Sequence, residues 1–162
     1  MALSVVVFDV GETLVDEAST YERWEAEGAT TFVFADRDLY ADALPCLTEL
    51  RGRGLRLGAA GNMHAHHEEF LRPHVDFVGS SERWGVQKPD AAFFVHVVDE
   101  AGVPAEEILY VGDRVDNDVV PALAAGLRAV RIRRGAHARV ESPGGTVTIG
   151  SLTELPEALD RV

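Results

Sequence analysis

The 162-residue sequence predicts an α/β fold, a three-layer sandwich in which helices cover both faces of a mainly parallel, Rossmann-like sheet. Three observations predict this class. Short apolar runs alternate with segments of helical periodicity, and strand–helix–strand units of this kind form parallel sheets. The runs at residues 5–8 and 108–111 are continuously apolar, as expected for strands buried on both faces. Each of these two runs leads to a carboxylate, Asp9 directly and Asp113 after Gly112.

The first predicted strand, residues 5–8, is Val-Val-Val-Phe and delivers Asp9 to its own tip. Gly11 and Glu12 follow, and they are too permissive and too polar to extend a core strand, so the chain turns there. Ligands bind at the carboxyl ends of strands in open parallel sheets, which makes Asp9 a candidate functional residue. A solvated turn acid is the alternative interpretation.

The other elements follow from the same patterns, with apolar runs for strands and helical spacing ended by glycine for helices. Further strands are predicted over residues 55–60, 75–78, 108–111, 127–132 and 147–149. Helices are predicted over residues 19–27, 39–51, 65–71, 91–101 with Asp90 as N-cap, 117–125 and 152–159. Residues 80–87 are predicted to be a loop, and residues 16–38 an insertion with irregular or hairpin-like chain after its short helix.

The composition predicts a single domain over residues 1–162, because 46% hydrophobic and 26% charged residues are ordinary for a globular protein. The formal charge of −12 argues against a nucleic-acid partner, since phosphate neutralisation needs clustered basic residues. The one basic cluster is interpreted as a strand end and solvated edge; it consists of Arg128, Arg131, Arg133 and Arg134.

No apolar run reaches the roughly 20 residues of a membrane span, and the sequence starts without a signal-peptide pattern. We therefore expect no membrane partner and a cytoplasmic location. Cys46 is the only cysteine, which excludes an intrachain disulfide, and its apolar helical setting predicts a buried small hydrophobe.

Charged residues converge on one edge of the predicted sheet. Asp9 and Asp113 each follow a predicted strand, and Asp118 comes five residues after Asp113. Crowded carboxylates repel one another unless a hard cation such as Mg²⁺ binds their oxygens. Lys88 precedes a helix N-terminus, where an ammonium and backbone amides can hold a phosphoryl group. A surface lysine is the alternative.

Four segments carry a resemblance to a known family: FDVGETLVD from Phe8, LGAAGN from Leu57, GVQKPDAAFF from Gly85 and VGDRVDNDV from Val111. These segments and their order resemble those of the haloacid dehalogenase superfamily, whose members are mostly Mg²⁺-dependent phosphatases that use an aspartyl-phosphate intermediate. The resemblance covers nearly the whole core. It implies that the family's cap is reduced here to residues 16–38.

The resemblance also implies roles for individual residues. Asp9 becomes the nucleophile, which forms an acyl phosphate that water later cleaves. Lys88 holds the transferring phosphoryl oxygens. The implied Mg²⁺ ligands are Asp9, the Gly11 carbonyl, Asp113 and Asp118, directly or through water. The implied substrate-binding residues are Thr13, Gly61, Asn62, His64 and Lys88.

The sequence departs from the family pattern at two glycines. Gly11 stands where the family usually carries a second Asp, which acts as general acid and then general base. Such help is worth about 10²- to 10⁴-fold in rate, so its loss predicts a slow enzyme or one limited to good leaving groups. Glu12 is a minor alternative for the role, because its side chain faces away after the turn. Gly61 replaces a Ser or Thr, leaving its amide and the Asn62 side chain for phosphate.

Three histidines, His64, His66 and His67, follow the second predicted strand. The spacing of His64 and His67 allows a zinc pair, but no third ligand is in register, so polar loop residues are the preferred interpretation. His64 remains a candidate for substrate contact. Trp24 and Trp84 flank the expected entrance, where stacking on a ligand competes with core packing.

The sequence thus predicts a Mg²⁺-dependent phosphomonoesterase that acts on a small phosphorylated substrate. The alternative is a catalytically impaired relative that binds a phosphate-containing ligand or a protein partner. A carbon–halogen hydrolase is disfavoured, because the family's dehalogenases need neither Mg²⁺ nor these acids. The small cap predicts an open site and a possible homodimer that supplies a lid.

Overall fold

The computed structural model describes residues 2–162, so Met1 of the predicted domain lies outside the described residues. The strands are β1 (Val5–Phe8), β2 (Arg56–Gly61), β3 (Phe77–Ser80), β4 (Ile108–Gly112), β5 (Arg128–Ile132) and β6 (Val147–Ile149). They form one sheet in the order β3-β2-β1-β4-β5-β6, and every neighbouring pair is parallel. The predicted parallel sheet is confirmed, with β1 and β4 adjacent at its centre.

The α-helices are α1 (Glu17–Glu27), α2 (Ala43–Gly52), α3 (Glu68–Leu71), α4 (Ser81–Trp84), α5 (Ala91–Ala101), α6 (Val120–Ala124) and α7 (Leu155–Ala158). Single 3₁₀ turns cover Asp36–Asp38, Ala65–His67, Ala105–Glu107, Gly135–His137, Leu152–Glu154 and Leu159–Arg161, and a π-helical turn covers Val115–Val119. In the described part of the chain, no helix has both the length and the apolar character that crossing a membrane requires.

Two hydrophobic cores lie on the two faces of the sheet. The side chains of β1 are all fully buried and alternate between them, as a strand inside a three-layer sandwich requires. Val5 and Val7 pack in the core that contains α5 and α6. Val6 and Phe8 pack in the core that contains α2 and α7. The predicted three-layer α/β fold is therefore confirmed.

One helix prediction and one loop prediction need correction. The helix expected over residues 39–51 begins only at Ala43, because Leu39 is extended and pairs with Val15 in an antiparallel bridge. The segment 80–87 is not all loop. Ser80 ends β3 and caps α4, since its hydroxyl accepts a hydrogen bond from the Arg83 amide at 3.3 Å.

The insertion leaves and re-enters the core at one point, which we call the neck. The Asp16 amide donates to the Asp38 carbonyl at 2.8 Å, and the Tyr40 amide donates to the Leu14 carbonyl at 2.8 Å. The Asp16 carboxylate also caps α1, accepting from the Ser19 amide at 3.1 Å. After α1 the chain is irregular up to the turn at Asp36–Asp38, which is one of the two forms, irregular or hairpin-like, that the sequence allows.

The basic cluster is only in part the strand end and solvated edge that the sequence suggests: Arg128 begins β5 and Arg133 is exposed, but Arg131 and Arg134 are not exposed. Arg131 is fully buried, and its guanidinium donates to the carbonyls of His137 and Val140 and, at 3.1 Å, to the Ser142 hydroxyl. Arg134 forms two hydrogen bonds with the Asp42 carboxylate, at 3.1 and 2.5 Å. The prediction was wrong for these two arginines, because one guanidinium binds backbone carbonyls and the other binds the Asp42 carboxylate.

Candidate active site

Asp9 lies at the carboxyl end of β1, in the centre of the sheet. Its amide donates to the Val111 carbonyl of β4 at 2.8 Å, so the backbone ladder continues up to this residue. The side chain is buried, and its Oδ1 accepts a hydrogen bond from Lys88 Nζ at 2.8 Å. The apolar strand therefore presents a carboxylate that is paired with an ammonium.

Asp113 and Asp118 join Asp9 through the end of β4 and the turn that follows. The π-helical turn Val115–Val119 folds the chain back, and the Arg114 amide donates to Asp118 Oδ2 at 2.9 Å. A side chain at Gly112 would overlap the Asp118 carboxyl group, so glycine is needed for this close approach. The carboxylates of Asp9, Asp113 and Asp118 each offer an oxygen within 4.8 Å of the others.

Burial and the neighbouring carboxylates raise the pKa values of Asp113 and Asp118. Burial and the Asp9 carboxylate raise the pKa of Asp113 to about 9, with Asp118 adding to the effect. Burial and Asp9 also raise the pKa of Asp118 to about 6, although Lys88 opposes them. When all three carboxylates are ionised, their negative charge exceeds the positive charge of the Lys88 ammonium. Hard oxygen donors of this kind suit a divalent cation such as Mg²⁺. The donor set fits that ion.

Lys88 is held from both its backbone and its side chain. Its amide donates to Asn62 Oδ1 at 2.8 Å, and its carbonyl accepts from Asn62 Nδ2 at 3.0 Å. The ammonium donates to Asp9 and, at 2.6 Å, to Asp118 Oδ1. Although burial opposes the charged form, Asp118 and Asp9 hold the pKa of Lys88 well above its ordinary value. The lysine is thus a fixed cation beside Asp9.

Asn62 contacts the backbone of the lysine loop, and its contact with phosphate stays a prediction. Both polar atoms of its side chain are engaged with the Lys88 backbone, so it orients the lysine loop. Gly61 is buried beside Asp9, and a Cβ there would lie 3.0 Å from Asp9 Oδ1. Thr13 is fully buried, and its hydroxyl has no hydrogen-bond partner among the described residues. Phosphate contacts by Thr13 and Gly61 stay predictions.

Glu17 occupies the space beside Gly11. An ideal Cβ on Gly11 would lie 3.0 Å from Glu17 Cδ and closer still to Oε2. Burial raises the pKa of Glu17, and the Asp9 and Glu12 carboxylates add to the effect. Glu12 itself faces elsewhere, because its carboxylate accepts from the Ala18 amide and the Tyr40 hydroxyl, both at 2.9 Å. The start of α1 therefore places a carboxylate where a Gly11 side chain would lie.

A cavity of about 700 Å³ opens next to Glu17 and Asn62. Aromatic and imidazole side chains form much of its wall: Tyr21, Trp24, Phe32, Phe34, His64, His66 and His67. Trp24 belongs to this wall, and its indole N–H is buried with no partner among the described residues. Trp84 instead packs on Phe93 and His96, with ring centroids 5.0 and 5.2 Å apart, so it belongs to the core.

The three histidines lie at the cavity but have separate partners. The exposed His64 ring has its Nδ1 3.5 Å from Glu82 Oε1, and His66 Nε2 lies 3.0 Å from the Phe32 carbonyl oxygen. His67 is buried against Phe34, with ring centroids 4.4 Å apart. Its role as one half of a zinc pair gains no support from these contacts.

The structure brings together most of the residues that the sequence singles out. Asp9, Lys88, Asp113 and Asp118 form one buried cluster, and Gly61 borders it. Sequence reasoning missed Glu17, which belongs to the insertion, and it missed a strand residue of β4.

That strand residue is Tyr110, whose ring centroid lies 5.5 Å from Lys88 Nζ. Its hydroxyl donates to the Ala60 carbonyl at 2.7 Å. A tyrosine inside an apolar strand carries no local signal for such a contact. Glu17 does carry one, since an acid two residues before a predicted helix and eight residues after Asp9 is apparent in the sequence.

Known proteins provide an independent comparison. The family model described as haloacid dehalogenase-like hydrolase matches residues 23–126. A glyceraldehyde 3-phosphate phosphatase of Methanocaldococcus jannaschii is 38% identical over 123 residues, which cover 72% of this chain and 54% of that protein. A protein of the same name from Methanopyrus kandleri is 39% identical over 114 residues, covering 67% and 49%. The chain spans about half the length of these relatives.

The fold also matches a solved structure, that of the HAD-hydrolase YfnB from Bacillus subtilis, determined bound to magnesium. The TM-score is 0.78 at 18% identity, and the match covers 99% of this chain and 100% of that one. This similarity supports the α/β architecture described above.

Proposed function

The chain belongs to the haloacid dehalogenase-like hydrolases, and from this premise we propose that it is a Mg²⁺-dependent phosphomonoesterase with Asp9 as its nucleophile. One observation carries the proposal: Asp9 and Lys88 are in direct contact inside a cluster of three carboxylates at the end of the central strands. This arrangement gives a carboxylate nucleophile, an ammonium for phosphoryl oxygens and oxygen donors for a cation.

In the first half of the reaction, an Asp9 oxygen attacks the phosphorus atom of the substrate. A bond from phosphorus to Asp9 forms as the bond to the leaving oxygen breaks, which yields an aspartyl phosphate. Lys88 stays within reach of the phosphoryl oxygens, because Asn62 fixes its backbone. Water then attacks phosphorus, which releases phosphate and restores Asp9.

The carboxylates of Asp9, Asp113 and Asp118, with the Gly11 carbonyl, would hold Mg²⁺ here. When bound, the ion neutralises phosphoryl charge and the repulsion among these acids. Lys88 supplies further positive charge from the loop before α5. Because the reacting groups are fixed by strand ends and a hydrogen-bonded loop, positioning contributes to the rate.

The cavity beside Glu17 would receive the leaving group of a small phosphorylated substrate. Glyceraldehyde 3-phosphate, after which two relatives are named, is one compound to test. The wall of aromatic and imidazole groups favours organic leaving groups with apolar or aromatic parts. We therefore include aryl phosphates in the substrate panel.

A catalytically impaired protein that binds a phosphate-containing ligand is the second candidate, and Gly11 is the observation that favours it. Steady-state hydrolysis of aryl and alkyl phosphates, with and without Mg²⁺, separates the two. We expect Mg²⁺-dependent turnover by the parent protein and its loss in Asp9→Asn. Asp99→Asn, at an exposed acid on α5, is the matched control and should keep full activity. Absence of turnover by the parent with every substrate refutes the phosphomonoesterase proposal.

A further inference from the structure

The position beside the nucleophile that Gly11 leaves without a side chain is filled by Glu17. Any side chain at Gly11 would collide with the Glu17 carboxyl group, whose Cδ lies 3.0 Å from the ideal Cβ position. Glu17 also lines the 700 Å³ cavity. Its carboxyl group therefore lies between the loop of the nucleophile and the space that we assign to the leaving group.

The start of α1 holds Glu17 in this place. Asp16 caps the helix and is bound to Asp38 through the neck, and Val15 is fully buried. Side chains in the first turn of a helix lean back toward its N-terminus, which directs Glu17 toward the loop before α1. A reactive group on a capped helix is positioned more rigidly than one on a free loop.

Other candidates for a proton carrier at the cavity are engaged elsewhere. The carboxylate of Glu12 accepts two hydrogen bonds, from the Ala18 amide and the Tyr40 hydroxyl. His64 faces Glu82, and His67 is buried against Phe34. Glu17, by contrast, overlaps the volume of a Gly11 side chain, which neither His64 nor His67 does.

We propose that Glu17 is the catalytic acid and base of this hydrolase, acting from α1 in place of a carboxylate on residue 11. The inference rests on the proposed phosphomonoesterase function. As the phosphorus–oxygen bond to the leaving group breaks, the Glu17 carboxyl gives its proton to that oxygen, and the leaving group departs as an alcohol. Glu17 becomes a carboxylate, while phosphorus is bonded to Asp9.

In the second half of the reaction, the Glu17 carboxylate takes a proton from water. The water oxygen bonds to phosphorus, the bond from phosphorus to Asp9 breaks, and phosphate leaves. Glu17 is protonated again and Asp9 is again a carboxylate, so the cycle closes without another reactant. Loss of Glu17 thus slows departure of poor leaving groups and, for all substrates, cleavage of the aspartyl phosphate.

The test compares the parent with Glu17→Gln, Glu17→Ala, Gly11→Asp and the double variant Gly11→Asp/Glu17→Ala. Glu22→Gln, at an exposed acid on the same helix, is the matched control. Each protein is assayed with Mg²⁺ on p-nitrophenyl phosphate, a good leaving group, and on glycerol phosphate, a poor one. Rapid-mixing kinetics detect a burst of nitrophenol, and intact-mass spectrometry detects a phosphorylated protein.

We expect Glu17→Gln to lose about 10²-fold or more in glycerol phosphate turnover, within the usual range for general acid–base catalysis. With p-nitrophenyl phosphate it should release one equivalent of nitrophenol rapidly, turn over slowly and accumulate phosphorylated protein. The double variant should recover turnover and lose the burst, because the carboxylate introduced by Gly11→Asp then fills the space vacated by Glu17→Ala. This rescue also shows that the chain folds without the Glu17 side chain.

Two outcomes overturn the inference. Kinetics of Glu17→Gln that equal those of Glu22→Gln on both substrates, without a burst, exclude Glu17 as the proton carrier. A loss of activity in Glu17→Ala that Gly11→Asp does not restore, with no phosphorylated protein, assigns Glu17 a structural role only. If the parent itself hydrolyses neither substrate, the proposed function fails, a result distinct from the other two.

Discussion

Stability should fall on mild acidification because of one buried imidazole, that of His67. The ring centroid lies 4.4 Å from that of Phe34 and 4.0 Å from that of His66, and Nδ1 has no hydrogen-bond partner among the described residues. Burial, with His66 and His64 nearby, lowers the pKa of His67 to about 4 from 6.5. Between these values the unfolded chain binds a proton that the folded protein excludes.

The sign and size of the effect follow from this difference. Since the unfolded state binds more protons below pH 6.5, the free energy of unfolding decreases as the pH falls from there toward 4. The linkage relation gives a loss of about 2 kcal/mol between about pH 7.5 and pH 5 from this residue alone. Other groups titrate too, so the parent must be compared with a variant that lacks the imidazole.

Urea unfolding of the parent and of His67→Phe at the two pH values measures this contribution. Phenylalanine keeps an aromatic ring against Phe34 but cannot take up a proton. We expect the parent to lose about 2 kcal/mol more than the variant on acidification. An equal loss in both proteins would refute the argument that His67 is buried in its neutral form.

Two further predictions concern the carboxylate cluster. At a Mg²⁺ concentration of a hundred times its dissociation constant, binding should stabilise the folded parent by about 2.7 kcal/mol. The thermal unfolding midpoint should rise accordingly. Asp113→Asn should remove most of that shift in calorimetry, whereas Asp116→Asn, at an exposed acid of the same turn, should keep it. Gly112→Ala should destabilise the protein by about 1–3 kcal/mol, because the methyl group overlaps the Asp118 carboxyl group. An unchanged urea midpoint in this variant would contradict the described packing of Asp118.

The sequence was sufficient for the sheet and for the acids at its edge. Fully apolar strands leave few alternatives to burial, so Asp9 and Asp113 had to emerge at the same edge once the strands were parallel. Strand boundaries shifted by one or two residues, as with β3, because Phe77 rather than Val75 pairs with β2. The local patterns were strong here, and the packing agreed with them.

Tertiary contacts decided what the sequence did not predict. The sequence predicts Arg131 to lie at a strand end and solvated edge, yet its guanidinium binds carbonyls of the segment after β5, and nothing local signals that the segment folds back. The extended backbone conformation of Leu39 depends on its pairing with Val15 across the insertion. Glu17 reaches the space at Gly11 because the neck brings the start of α1 against the loop that follows Asp9.

The neck also makes the insertion exchangeable. Its two ends are joined by the hydrogen bond from Asp16 to Asp38, so a segment of another length can be grafted between them while the sheet keeps its connections. A graft that begins after α1 retains Glu17, and one that replaces α1 discards it. Under the proposed mechanism, chimaeras made at these two junctions would share Asp9 and differ in their access to protons, so the choice of junction would set the range of leaving groups that each accepts.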